Sequence, residues 1–478
     1  MSPTRSRTSL ESARTGIGIS AEPDPPEPGD LERPFTGVPL DVGPPPDGGR
    51  EAWLCVAGTF LQLFTVFGLI TSAGVLITYY SEHQLKQYSR SQIAWISSIQ
   101  PFIVFGFALW TGRYFDIHGA RRLTIAGTVI AFAAVVGIAF SQQYYGFFLS
   151  HAAFAFSGTL IYAPATAVAG HWFLRRRSTA VGIIVGGSGL GGVIYPIMIT
   201  QLVKRLSFRD TMLIVACFNL ALMFPACFWV KARLPPRHPP PLKTLKRPLT
   251  EVRFVFLVIG TGLYGCNILT PYFNAQALAV SNDCSPSITN YAVAILQAGS
   301  FVGRVVAGIM ADRFGVWNVF GCIPFLTSIT MFAFWTPPNV GDAPTLLGLL
   351  FYGIFSGGWF TVAASATAVI SPVTEIGMRI GMMWSSVALP GLIGPVISGE
   401  LITVGNAKFT YAGIFCGFTF LLSGILTIAP PLKNWVLERC GVRPKVEEEL
   451  DPEATLPTEG QVEAKHTDVN MDEVNQKL

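Results

Sequence analysis

Within the long apolar stretches of this 478-residue chain only a few side chains can do chemistry, and they limit what that chemistry is. Arg304 stands inside Gly299-Ser300-Phe301-Val302-Gly303-Arg304-Val305-Val306. Its planar guanidinium suits a carboxylate or phosphate. It therefore contacts an anionic substrate, pairs with Asp312 about 12 Å further along the helix, or snorkels to a membrane interface. His151, beside Ala152, Ala153 and Phe154, is either a proton relay or a neutral ring held by a hydrogen bond. Asn267, Asn274, Gln276 and Gln297 are amides in apolar runs, suited to binding a cargo or to cross-linking helices. Tyr264 and Trp384, with Tyr162, Tyr352 and Trp359, offer an aromatic wall or ordinary packing. No H-E-x-x-H, Walker A or C-x-x-C sequence occurs, so no catalytic residue, metal or cofactor is assigned. Gly187-x-Gly189-x-x-Gly192 matches the dinucleotide fingerprint in its letters, but it lies in an apolar run with no preceding strand. Close helix packing explains it better.

The elements that must hold these residues are set by charge scarcity. Charged residues make up 13% of the chain, against about 25% in soluble domains, and mean hydropathy is +0.47. Between Trp53 and Tyr80 only Cys55 and the two terminal tyrosines can ionise. This argues against a soluble enzyme, and no basic stripe supports nucleic-acid binding. A spanning helix needs about 20 apolar residues. Such stretches lie near 53–79, 92–111, 122–140, 145–170, 179–202, 211–230, 253–278, 290–310, 317–335, 345–369, 379–403 and 410–430. The expected fold is an all-α membrane protein with twelve transmembrane helices in two pseudo-symmetric six-helix bundles. The expected segments are a disordered tail 1–50, bundles 51–230 and 253–432, a Pro-rich basic linker 231–252 and a tail 433–478. Fourteen Lys and Arg fall in the loops on the side of the termini and six in the opposite loops, which predicts both termini cytoplasmic.

The two sets of six spans repeat. Gly112-Arg113-Tyr114-Phe115-Asp116-Ile117-His118-Gly119 and Gly308-Ile309-Met310-Ala311-Asp312-Arg313-Phe314-Gly315 both read G-x-x-x-D-x-x-G, 196 residues apart. Gly182, Gly192 and Pro196 share the spacing of Gly381, Gly391 and Pro395, 199 apart. Small residues let helices approach closely in lipid. Gly182, Gly187, Gly189, Gly192, Pro196, Gly381, Gly391 and Pro395 are thus expected to pack or hinge the halves. Asp116 and Asp312, with Arg113 and Arg313, are expected to form a cytoplasmic gate in which each Asp caps a helix N-terminus or pairs with an Arg.

Together these features resemble the major facilitator superfamily and, within it, the fungal branch of the monocarboxylate-porter family. The resemblance rests on Asp47-Gly48-Gly49-Arg50-Glu51-Ala52-Trp53 and Trp95-Ile96-Ser97-Ser98-Ile99-Gln100. It rests also on Trp172-Phe173-Leu174-Arg175-Arg176-Arg177, Ala180-Val181-Gly182, Gly186–Gly192 and Gly377-Met378-Arg379-Ile380-Gly381-Met382. It implies a secondary active transporter working by alternating access. Arg304 matches that family's substrate-binding arginine. Ser300 stands where the animal carriers have an aspartate, and their first-helix lysine has no counterpart. The expected partners are a small organic solute and the lipid bilayer, with a coupling proton left open and a monomer favoured. Uptake of a monocarboxylate-like acid or vitamin is preferred to efflux of a fungal secondary metabolite. The plasma membrane is preferred to the vacuolar one. A transporter-like receptor without net flux is the alternative of another class.

Overall fold

The computed structural model describes residues 45–233, 245–372, 374–404 and 409–439. The segments 1–44 and 440–478, which hold most of the two expected tails, and 234–244 of the expected linker lie outside the described residues.

The described chain is helical, with no strand. In hydrocarbon no water pairs the backbone N–H and C=O groups, and an apolar run of about 20 residues satisfies them by itself only as a helix. The α-helices are α1 (Arg50–Thr71), α2 (Ala73–Glu82), α3 (Arg90–Gly106), α4 (Ala108–His118), α5 (Arg121–Phe140), α6 (Tyr144–Trp172), α7 (Arg177–Val203) and α8 (Phe208–Trp229). They continue as α9 (Val252–Ile268), α10 (Thr270–Ser281), α11 (Pro286–Phe314), α12 (Val316–Thr330), α13 (Asp342–Val369), α14 (Ile376–Val404) and α15 (Thr410–Arg439). Among the described residues eleven helical segments, with α1–α2 and α9–α10 each taken as one, are long and apolar enough to span a bilayer, and the α3–α4 pair, bent by 40°, makes a twelfth. Every span named from the sequence is present. Residues 433–439, expected in the tail, continue α15.

Helix ends follow local chemistry. Ser89 and Gln92 form a reciprocal capping box at the head of α3. Ser207 caps α8 through the backbone N–H of Asp210. The final glycines of the repeated motif, Gly119 and Gly315, end α4 and α11 with φ of +77° and +90°, a conformation that favours glycine. The first and seventh spans are each interrupted, at Ser72 between α1 and α2 and at Leu269 between α9 and α10. A single π-helical stretch, Met331–Trp335, closes the ninth span.

Helices α1, α3, α5, α6, α7 and α8 pack on one another, as do α9 and α11 to α15. Two seams join the sets, α7 on α11 and the α3–α4 span on α14. Glycine makes both seams possible, because a methyl group on Gly182 would run into the Arg304 carbonyl and one on Gly381 into the Ala108 carbonyl. These contacts are equivalent under the repeat, since 108 and 304 are 196 apart and 182 and 381 are 199 apart.

Candidate functional site

A cavity with about 750 Å³ of empty space, its mouth included, lies between the two sets of helices. Phe67, Phe105 and Tyr162 wall it on one side, and Tyr272, Phe273 and Phe360 on the other. Its polar lining includes Ser188, Gln297 and Arg304. Among the described residues no Asp or Glu lines it.

Arg304 is only 5% exposed. Its Nε and Nη1 have no hydrogen-bond partner, and its guanidinium carbon sits 5.4 Å from the centre of the Phe360 ring, a cation–π contact. Gly189 leaves room for it, since a methyl there would approach Nη1 to 2.5 Å. The Gln297 carbonyl oxygen also lacks a partner. Ser300, one turn before Arg304, exchanges a hydrogen bond with the Tyr272 hydroxyl at 2.9 Å, and Ser356 does so at 3.0 Å. Arg304 does not pair with Asp312, whose two oxygens accept from helix α7, and it does not snorkel to an interface. An arginine at mid-membrane costs about 2.5–3.5 kcal/mol on insertion scales unless it faces a cavity or a partner. Here it faces the cavity.

The other expected site residues lie elsewhere. Asn267 donates to Thr419 at 3.0 Å and accepts from Ser398 at 3.1 Å and Thr270 at 3.3 Å, cross-linking α9 to α14 and α15. Tyr264 shares a 2.8 Å bond with Thr327 and stacks on Trp359 at 4.3 Å. Asn274 donates to the Thr270 carbonyl of its own helix at 2.9 Å. These three do not line the cavity, because each polar group is already engaged within the helices of residues 252–439. Trp384 sits behind the lining, against Tyr162 at 5.0 Å and Phe105 at 5.4 Å, as support rather than surface. His151 is buried outside the cavity with Nε2 3.0 Å from the Tyr80 hydroxyl, the hydrogen-bonded alternative for that ring.

At the membrane face where α4 and α11 end, the repeated motif makes two equivalent contacts. Asp116 accepts from the backbone N–H of Gly377 at 2.9 Å and Met378 at 2.6 Å, the first turn of α14. Asp312 accepts from Ser178 at 3.0 Å and Thr179 at 2.7 Å, the first turn of α7. A carboxylate on the exposed N–H groups and positive dipole end of a helix is a favourable pairing. Gly112 and Gly308 allow the approach, since a methyl would strike the carbonyls of Gly377 and Ser178 respectively. Arg113 is half-buried and Arg313 exposed beside these contacts.

Two further features went unread in the sequence. Asp47, in the left-handed region at φ +51°, accepts from Leu174 at 2.6 Å and Arg175 at 2.8 Å, tying the head of α1 to the loop that leads into α7, whose first turn Asp312 caps. Arg379, counted from sequence as a loop charge, is 2% exposed and forked onto Glu251 at 2.5 and 2.6 Å. The available signal was that Glu251 is the sole acid in residues 231–252.

The model of the Major Facilitator Superfamily matches residues 55–282 and 255–439. The chain belongs to this superfamily. It is 35% identical over 392 residues to "MFS-type transporter 1" of an Ophiocordyceps species, covering 82% of this chain and 87% of that one. It is 33% identical to the fujikurins efflux protein of Gibberella fujikuroi (80% and 83% covered) and to the aspyridones efflux protein of Emericella nidulans (84% and 82%). The fold matches the human organic anion transporter MFSD10 with a TM-score of 0.65 at 16% identity, covering 79% of this chain and all of that one. It matches the Escherichia coli fucose:proton symporter with a TM-score of 0.61 at 11% identity, covering 79% and 98%. As a major facilitator transporter, the protein carries its solute between two sets of helices that share the membrane.

Proposed function

We propose that the protein exports a small organic anion with substantial apolar bulk, by alternating access, with Arg304 taking the anionic group. The observation that carries this reading is the buried Arg304 guanidinium, with two nitrogens unpartnered, facing an aromatic-walled cavity. A carboxylate or similar anion supplies what both nitrogens lack, and the rings accommodate the remainder of the cargo. Export is favoured over the uptake preferred from sequence because relatives are named efflux proteins for fujikurins and aspyridones.

The monocarboxylate-porter resemblance supports the anion site but not that family's proton scheme. Ser300 is engaged with Tyr272, and no Asp or Glu is among the described residues lining the cavity, so this reading assigns no proton-carrying carboxylate there. Residues 51–230 and 253–432 act as the two rocking bodies in this reading. The Asp116 and Asp312 contacts latch the cytoplasmic face, and the excess of Lys and Arg on that face supports placing both termini there. The plasma membrane and a monomeric state fit export by a single chain.

Binding tests the reading. Purified protein is titrated with aromatic carboxylates and with their neutral amides. Carboxylates should bind at least tenfold more tightly than the amides, a preference that Arg304→Gln abolishes and Arg304→Lys weakens. Equal affinity for both series in the wild type would remove Arg304 from the anion site.

A further inference from the structure

The two seams between the halves are equivalent under the repeat, yet one is sealed and the other is not. Along α7 and α11 the contact runs unbroken from Gly182 to Gly192, and a methyl on Gly192 would meet the Gln297 side chain at 2.6 Å. The counterparts of Gly192 and Gln297 are Gly391 and Pro101, at the same offsets of 199 and 196. A methyl on Gly391 would meet only the Gly265 carbonyl at 3.3 Å and Val387 at 3.8 Å, with no atom of Pro101 within 4 Å. A second space of about 430 Å³, its opening to the outside included, lies here, lined by Ser98 and Pro101 of α3, Leu269 and Phe273, and Gly391, Leu392, Pro395 and Val396.

Three of those residues, Pro101, Leu269 and Phe273, also line the central cavity, so one thin wall separates the two spaces. Leu269 is the break between α9 and α10, and Phe273, one turn further on, is 49% exposed. Below this level the same seam is closed, where Ser385 donates to the Phe105 carbonyl at 3.1 Å and Trp384 stacks on Phe105 at 5.4 Å. The gap lies about 12 to 20 Å from the end of α14 remote from the Asp contacts, well inside the apolar thickness of a bilayer. Val396 of its lining is an exposed apolar side chain, as are Ile393 and Ile397 of the same helix.

We propose that the α3–α14 seam is a lateral portal through which the apolar part of the cargo passes between the central cavity and the leaflet remote from the Asp contacts, with Phe273 and Leu269 as its door. Continuity with the cavity assigns the occupant, since Pro101, Leu269 and Phe273 line both spaces. The sealed α7–α11 seam makes the exit one-sided. The proposal rests on the transport reading above and extends it to the class of cargo, an anion whose body partitions into lipid.

The test compares two permanently charged anions in proteoliposomes, anilinonaphthalene sulfonate, which partitions into bilayers, and benzenesulfonate, which does not. Ser98→Trp and Leu392→Trp fill the gap, and Ser98→Ala controls for loss of the hydroxyl, whose bond is only to the Ala94 carbonyl of its own helix at 3.1 Å. Both tryptophan variants should slow anilinonaphthalene sulfonate flux at least tenfold, keep its Kd within twofold and leave benzenesulfonate flux within twofold. Equal slowing of both anions would show that the seam works as a hinge and overturn the portal. Slowing of neither would show that cargo uses the aqueous mouth, with the same consequence. Failure of the anion-site reading shows separately, as unchanged anilinonaphthalene sulfonate affinity in Arg304→Gln, and leaves the flux comparison between probes intact.

Discussion

Arg304 and Ser300 lie one helical turn apart, on the same face of α11, and the pair decides how the cavity is charged. With serine at 300 the guanidinium keeps Nε and Nη1 for a ligand. Ser300→Asp places a carboxylate within reach of those nitrogens, so it competes with the cargo. We expect the affinity for aromatic carboxylates to fall at least tenfold, about 1.4 kcal/mol, in a fluorescence titration. An unchanged affinity would mean that cargo does not approach that face of α11. Residue types told part of this in advance. Arg304 and Gln297 stood out as polar groups in apolar runs and do line the cavity, but Asn267 and Tyr264 stood out by the same criterion and do not. A single sequence shows that a buried amide needs a partner; it does not show whether that partner is a neighbouring helix or a ligand. That depends on helical phase against helices 130 to 150 residues away, as in the Asn267 bonds to Ser398 and Thr419. Tyr272, Phe105 and Phe360 carried no such mark, because an aromatic ring in a membrane helix is ordinary.

Helices meet where the sequence supplies glycine, and the repeated G-x-x-x-D-x-x-G motif shows why both its Gly and its Asp are needed. Glycine admits the neighbouring carbonyl, and the aspartate then caps the first turn of the helix so admitted. Asn in place of Asp offers one acceptor where two backbone N–H groups need two. Hydrogen bonds to a charged acceptor are each worth about 1.5–3 kcal/mol. Asp116→Asn and Asp312→Asn should therefore each raise the fraction of molecules open at that face about tenfold. Reaction of a cysteine at Phe115 or Ala311, repeat-equivalent positions buried beside these contacts, with a membrane-impermeant maleimide reads this. Because the contacts are equivalent, the two variants should behave alike, and a large effect from one alone would contradict the symmetric latch. Seam packing has its own test. A methyl at 189 meets the Phe301 backbone at 2.9 Å, whereas one at 399 meets nothing within 4 Å. Gly189→Ala should lose about 1–3 kcal/mol of stability to overpacking, while Gly399→Ala should melt as wild type in a thermal shift assay. The spans, the internal repeat and the paired glycines were readable from hydropathy and spacing. Breaks at Ser72 and Leu269 were not, since neither carries a proline or glycine at the break itself.

On the scale of the whole molecule, both Asp contacts are made together and the seams beneath the cavity are zipped at that face. The cavity and the side gap lie beyond them, toward the opposite face. Charge scarcity announced the membrane, and offsets of 196 and 199 announced two halves. The difference between the seams was not legible, because Gly391 repeats Gly192 in sequence and only the identity of the facing residue, Pro101 against Gln297, separates them. In the proposed cycle, cargo neutralises Arg304, the halves rock, the Asp contacts break and reform, and the anion crosses. Its central claim is tested most directly by counterflow of a labelled aromatic carboxylate in proteoliposomes, comparing wild type with Arg304→Gln at matched insertion and orientation. The account predicts saturable exchange in the wild type that falls at least tenfold in the variant, while a neutral amide of the same cargo is not exchanged by either. Equal carboxylate exchange by both proteins would contradict it.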